Sequence, residues 1–153
     1  MTYIAMEGAI IHPSAIIGDG TFIGHNVVIE ESGGKYPQTR IGKHVCIHHL
    51  SSITAGMVIE DDVFIGPGVI TMNTRYIKWG RTSDKLGKRQ PPVIKRGARI
   101  AGGVKILPNV TIGEEALVGA GSVVVKDCEA FGVYIGNPAR KVGEVPLEER
   151  YAR

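Results

Sequence analysis

The stretch IGKHVCIHHLSSITAGMVIEDDVFI, residues 41–65, puts isoleucine at positions 41, 47, 53, 59 and 65. A large aliphatic residue every sixth position fits neither the 3.6-residue period of a helix nor the two-residue alternation of a half-buried strand. The same step runs upstream through Ile11, Ile17, Ile23 and Ile29, misses at Lys35, and ends downstream at Thr71. A second series in a new phase follows, Ile94, Ile100, Ile106, Ile112, Val118 and Val124. A hexad of one aliphatic residue, one small residue and a turn makes one short strand and one corner. Three hexads close a triangular coil, in which residues 18 apart stack at the spacing of neighbouring strands, about 4.8 Å. No coil buries its inward face alone, so stability comes from stacking.

Composition agrees. Ile and Val together number 35 of 153 residues against 5 Leu, and there are 21 Gly. β-branched side chains lose rotamer freedom in helices and pack well on pleated surfaces. The formal charge of +3 and the 6% aromatic content give neither the basic stripe nor the stacking rings of a nucleic-acid binder. Cys46 and Cys128 are far apart, without the spacing of a disulfide framework or zinc module. The N-terminal residues show no basic stretch before an apolar run, and no apolar run reaches the ~20 residues of a membrane span. The expectation is a cytoplasmic protein without membrane contact.

The hexads identify the chain, over about residues 10–142, as resembling the hexapeptide-repeat proteins, whose fold is a left-handed parallel β-helix. The left hand comes from the resemblance, since parallel crossovers are in general right-handed. The expected fold is therefore all-β: one β-helix domain over 1–153, with an excursion loop at about 72–93 and a C-terminal segment, 128–153. Within that segment, residues 145–151 form a short helical cap with Pro146 in its first turn.

The period breaks twice. Residues 30–40 keep the phase but lose the pattern, with Gly33-Gly34-Lys35-Tyr36-Pro37 protruding as a surface loop, a subunit contact or a wall of the site. Residues 72–93 lose the phase altogether, and loops this long in a compact domain are usually functional or disordered. This loop carries Arg75, Lys78, Arg81, Lys85, Lys88 and Arg89 against Asp84, a net +5, so the rest of the chain sums to −2. Clustered Lys and Arg suit phosphate. Arg75, Tyr76, Lys78 and Arg81 are the candidate contacts to an anionic substrate.

Ala101-Gly102-Gly103 and Gly119-Ala120-Gly121 are 18 apart and so stack at one corner of successive coils, a nearly side-chain-free wall where a ligand can approach backbone. The ending Val133-Tyr134-Ile135-Gly136-Asn137-Pro138-Ala139-Arg140-Lys141-Val142 resembles that of the hexapeptide-repeat acyltransferases. The resemblance implies acetyl-CoA as co-substrate. Its pantetheine arm would lie along Ala101, Gly102, Gly119 and Ala120, and its nucleotide end near Lys126, Arg140 and Lys141. Residues 59–69, then Met72-Asn73, are similar to the branch that N-acetylates amino sugars carried on nucleotides, which places Asn73 beside the sugar. Asn73-Thr74-Arg75 lacks the Pro-Arg of that branch. The loop exit, Asp84 to Pro91, resembles the serine acetyltransferases, with Gln90 where that branch has a histidine.

Acyl transfer needs an uncharged nucleophile, a proton acceptor and donors for the developing oxyanion. His48 and His49 are the candidate bases, because imidazole ordinarily titrates near pH ~6.5; His12, His25 and His44 read as corner residues. His44 and His48 are four apart, but no third ligand is evident for a zinc site like that of the γ-class carbonic anhydrases, which share this fold, so no metal is expected. The resemblance thus implies a homotrimer, as is typical of that family, and an N-acetyltransferase using acetyl-CoA on a nucleotide-linked amino sugar. The alternatives are an O-acetyltransferase on a sugar or small hydroxyl compound, and a catalytically silent solenoid used in assembly.

Overall fold

The computed structural model describes residues 2–30, 37–77 and 90–151. Each hexad forms a two-residue strand whose second residue points inward, and Ile23, Ile47, Ile53, Ile65, Ile94, Ile100, Ile106 and Ile112 are fully buried. The strands build three parallel sheets, the faces A, B and C of a left-handed triangular prism, visited by the chain in that order. Face A stacks Ile4–Ala5, Phe22–Ile23, Cys46–Ile47, Phe64–Ile65, Arg99–Ile100, Leu117–Val118 and then Gly132–Gly136. Face B runs from Ile10–Ile11 to Val123–Val124, and face C from Ile16–Ile17 to Thr111–Ile112.

The coil starts one hexad earlier than the aliphatic series implies. Ala5 pairs with Ile23 at the inward position, and a search for Ile or Val passes over it. Stacking also departs from a constant 18. Ile17 pairs with Ile41, 24 residues on, Ile41 with Ile59, 18 on, and Ile59 with Ile94, 35 on. The first break is therefore a six-residue insertion rather than a hexad with a poor residue at Lys35. It preserves the count in sixes only because it is one hexad long. The second break inserts 17 residues. Both leave the prism at the same edge, between faces B and C: the first joins Val28–Ile29 to Arg40–Ile41, the second Ile70–Thr71 to Val93–Ile94.

Thr71, which ends the first aliphatic series, remains in the core at 5% exposure. Its hydroxyl accepts from the Thr54 N–H at 2.8 Å and donates to the Ser52 carbonyl at 3.1 Å, so the wall is knitted where the long insertion departs. Beyond Val133 the chain folds back as an antiparallel strand, Ala139–Glu144, on the edge of face A, a hairpin that the hexad period did not foretell. The expected cap is one 3₁₀ turn, Leu147–Glu149, directly after Pro146. Among the described residues no helix is long and apolar enough to cross a membrane.

Candidate active site

The three edges of the prism differ in chemistry. Corners from face C to face A carry charge. The Lys95 ammonium donates to Glu60 Oε1 at 2.8 Å and the Arg96 N–H to Glu60 Oε2 at 2.9 Å. Beside them, Arg96 Nε lies 3.1 Å and His44 Nδ1 3.5 Å from Asp62. Desolvation pushes the Glu60 carboxyl upward, but Lys95 and the Arg96 N–H together outweigh it and hold the group below the ordinary range.

Corners from face A to face B form a single column: Gly24-His25-Asn26, His48-His49-Leu50, Gly66-Pro67-Gly68, Ala101-Gly102-Gly103 and Gly119-Ala120-Gly121. A backbone ladder fastens them. The N–H of Leu50 donates to His25 O (3.0 Å), Gly68 to His49 O (2.9 Å), Gly103 to Pro67 O (2.8 Å) and Gly121 to Gly102 O (2.9 Å). Side chains added at Gly68 or Gly121 would meet no protein atom within 4 Å. The edge thus presents open backbone over three coils, with the paired histidines in the next coil at one end of that stretch.

The His48 ring lies between the rings of Phe22 (6.1 Å) and Phe64 (5.1 Å), and 5.7 Å from that of His49. His49 Nδ1 accepts a hydrogen bond from the backbone N–H of His25 at 2.9 Å. Gly24 makes that approach possible, since a Cβ there would stand 2.8 Å from His49 Nδ1. Leu50 is held at φ +62° while 67% exposed. A left-handed conformation is costly for a branched apolar residue, and strain of this kind concentrates at functional sites.

Asn73 lies one face away, on the B-to-C edge. It is buried, its Nδ2 donates to the Ala55 carbonyl at 3.2 Å, and its Oδ1 accepts from the Thr74 hydroxyl at 3.1 Å. Within one chain the fold therefore does not bring Asn73 to His48 and His49. Arg75 and Tyr76 stand exposed at the start of the long insertion, the guanidinium 6.0 Å from the ring centre; Lys78 and Arg81 lie outside the described residues.

Of the residues expected to hold a cofactor, Ala101, Gly102, Gly119 and Ala120 share the A-to-B edge. Arg140 is exposed just past the Asn137–Pro138 turn of the hairpin that closes that edge, where the Gly136 N–H donates to Ser122 Oγ at 3.0 Å. Lys141 is drawn toward Glu129 (2.6 Å) and Glu144 (3.5 Å). Lys126 follows Val124 onto the B-to-C edge. Burial, reinforced by Asp127, pushes the Cys128 thiol up to about 12, and burial also raises that of Cys46, which leaves neither as a thiolate nucleophile. Among the described residues no three His, Cys, Asp or Glu side chains converge as a metal site would require.

Sequence reasoning missed Gly24, His25 and Leu50 as parts of this site. Gly24 and His25 stack under His48 and His49 at a separation of 24 rather than 18, so the six-residue insertion hides the pairing from any search at constant period.

Residues 91–126 match the family model described as bacterial transferase hexapeptide (six repeats). Those residues carry the hexapeptide repeats of that family. Serine acetyltransferase of Salmonella typhimurium is 36% identical over 125 residues, 80% of this chain and 42% of that protein. The chain spans less than half the length of the curated relatives it matches. Among solved structures, a variant of AntD, an N-acyltransferase from Bacillus cereus in complex with dTDP and coenzyme A, superposes with a TM-score of 0.79 at 23% identity, covering 96% of this chain and 84% of that one. A variant of perosamine N-acetyltransferase from Caulobacter crescentus, in complex with CoA and GDP-perosamine, gives 0.74 at 23%, covering 94% and 58%. These likenesses show the fold.

Proposed function

We propose that the chain transfers acetyl from acetyl-CoA to the amino group of a nucleotide-linked amino sugar, as a homotrimer. The observation that carries this reading is the A-to-B edge, three coils of glycine, alanine and proline corners, open at Gly68 and Gly121, leading to the His48 corner. The pantetheine arm lies along Ala101, Gly102, Gly119 and Ala120, with Arg140 nearest the phosphates. The amine attacks the thioester carbonyl, the C–N bond forms and the C–S bond breaks. His48 takes the proton lost by nitrogen and returns it to the leaving thiolate, giving free CoA. A neutral amine is a good nucleophile, so most of the acceleration is positioning. Arg75 and Tyr76, with Lys78 and Arg81, serve the diphosphate, and Asn73 lies beside the sugar. They meet His48 across a subunit boundary, which is why the trimer belongs to the proposal.

The fold neighbours holding CoA with dTDP or GDP-perosamine agree with this reading. One observation favours O-acetylation instead: curated relatives at 36% identity are named serine acetyltransferase. Free-thiol release from acetyl-CoA, followed with GDP-perosamine and with L-serine in parallel, tests both. Turnover with the amino sugar is expected. Turnover with serine alone replaces the first reading by the second, and failure of acetyl-CoA to bind sinks both in favour of the silent solenoid.

A further inference from the structure

His49 is built differently from its neighbour. A backbone N–H can only donate, so the 2.9 Å bond from His25 N to His49 Nδ1 requires that Nδ1 carry its lone pair. A neutral imidazole with that nitrogen bare carries its proton on Nε2. The arrangement is braced from both sides. The carbonyl of His49 accepts from the Gly68 N–H, the Leu50 N–H donates to His25 O, and Gly24 leaves no Cβ to hold the ring off. The His25 and His48 rings, 5.3 and 5.7 Å away, are the titratable groups facing it. Nε2 has no protein partner among the described residues. With its lone pair already occupied, His49 is poorly suited to take a proton and well suited to give a hydrogen bond.

We propose that His49 is a fixed hydrogen-bond donor whose Nε2–H holds the thioester carbonyl oxygen of the bound acyl donor as that oxygen gains negative charge, while His48 alone accepts the proton. Both residues leave Ile47 at the end of the glycine edge, so a thioester reaching that end meets the two rings together. The proposal rests on the acyl-transfer reading and divides its labour: a donor oriented before reaction stabilises developing charge without reorganising, and a separate imidazole handles the proton.

Long-range proton–nitrogen correlation spectra of the full chain test it, with the His49 signals assigned by their loss in His49→Gln. The free protein is expected to show the Nε2–H tautomer at His49. Its Nε2 resonance is expected to move on adding acetyl-CoA and not on adding CoA, which lacks the carbonyl. In turnover, His49→Ala should lower kcat by about 100-fold with little change in KM for acetyl-CoA. His49→Gln, whose amide N–H reaches the Nε2 position, should restore much of that and keep the wild-type pH profile. A Nδ1–H tautomer overturns the proposal, as does a silent His49 while the glycines of the edge respond to acetyl-CoA, or a loss confined to KM. No response to acetyl-CoA anywhere in the spectrum overturns the acyl-transfer reading, and this role with it.

Discussion

Along the A-to-B edge each corner from Met6 to Ser122 is four residues long, and backbone N–H groups reach carbonyls of the adjacent coil in unbroken succession. Along the B-to-C edge two corners carry insertions, and side chains take over part of the same task. Glu30 Oε2 accepts from the Thr54 hydroxyl and the Ala55 N–H, Thr39 Oγ1 accepts from the Gly56 N–H, and Asn73 answers the Ala55 carbonyl. Pro37, the first described residue after the first gap, and Pro91, one past Gln90, flank the tight corner at Gly56. One edge is fastened at every step by backbone bonds between adjacent coils, which hold its corner groups in place. The other edge tolerates length because side chains can reach where the backbone has left.

The largest test of that contrast is chemical. His48→Gln should lower turnover by about 100- to 10,000-fold, the range for loss of a general base, with thermal unfolding almost unchanged because the ring lies on the surface of the wall. A comparable fall in Tm would show that the residue serves the fold. Asn73→Ala works at the other edge and in the other currency. It strips the Ala55 carbonyl of its partner and should cost about 1–3 kcal/mol in urea unfolding; an unchanged midpoint would mean that water replaces the amide without loss.

Leu50→Gly reverses the sign. Relief of its left-handed backbone should raise stability by about 1 kcal/mol, read as a higher Tm. If Leu50 contacts bound ligand, the same change lowers affinity for acetyl-CoA, and a stabilised variant with full affinity would remove it from the site. The smallest effect belongs to the charged C-to-A edge. The Glu60 carboxyl is depressed in the folded chain, so its contribution is present above the carboxyl's unfolded value and lost as pH falls through the folded one. Glu60→Gln should flatten stability in that acidic window by less than about 1 kcal/mol, since the pair is half exposed; an equal loss at pH 7 and pH 3 would contradict the assignment.

Much of this was legible in the sequence because the hexad is a strictly local rule. Each Ile on the six-residue step declares its own inward position, and the wall at 101–103 and 119–121 lies within an uninterrupted run where 18-residue stacking holds. What escaped was whatever depends on how runs are joined. The pairing of His25 with His49 needs the length of the first insertion, and the placement of Asn73 on a different edge from His48 needs a count of faces from one end. The hairpin at Ala139–Glu144 obeys no hexad at all and pairs antiparallel to the rest. Leu50 looked unremarkable beside two histidines, although most corners elsewhere use Gly, Asn or Asp at that position, as at Gly20, Asn26, Asp62 and Gly68, and among the other exceptions His44 and Glu115 are polar.

The pairing of Ile59 with Ile94 has a consequence for engineering. A strand needs only two residues in register, so material spliced in at the B-to-C edge renumbers everything downstream without moving the downstream core. Segments between Glu30 and Thr39, or between Asn73 and Gln90, can thus change in length while the inward positions on either side keep their register.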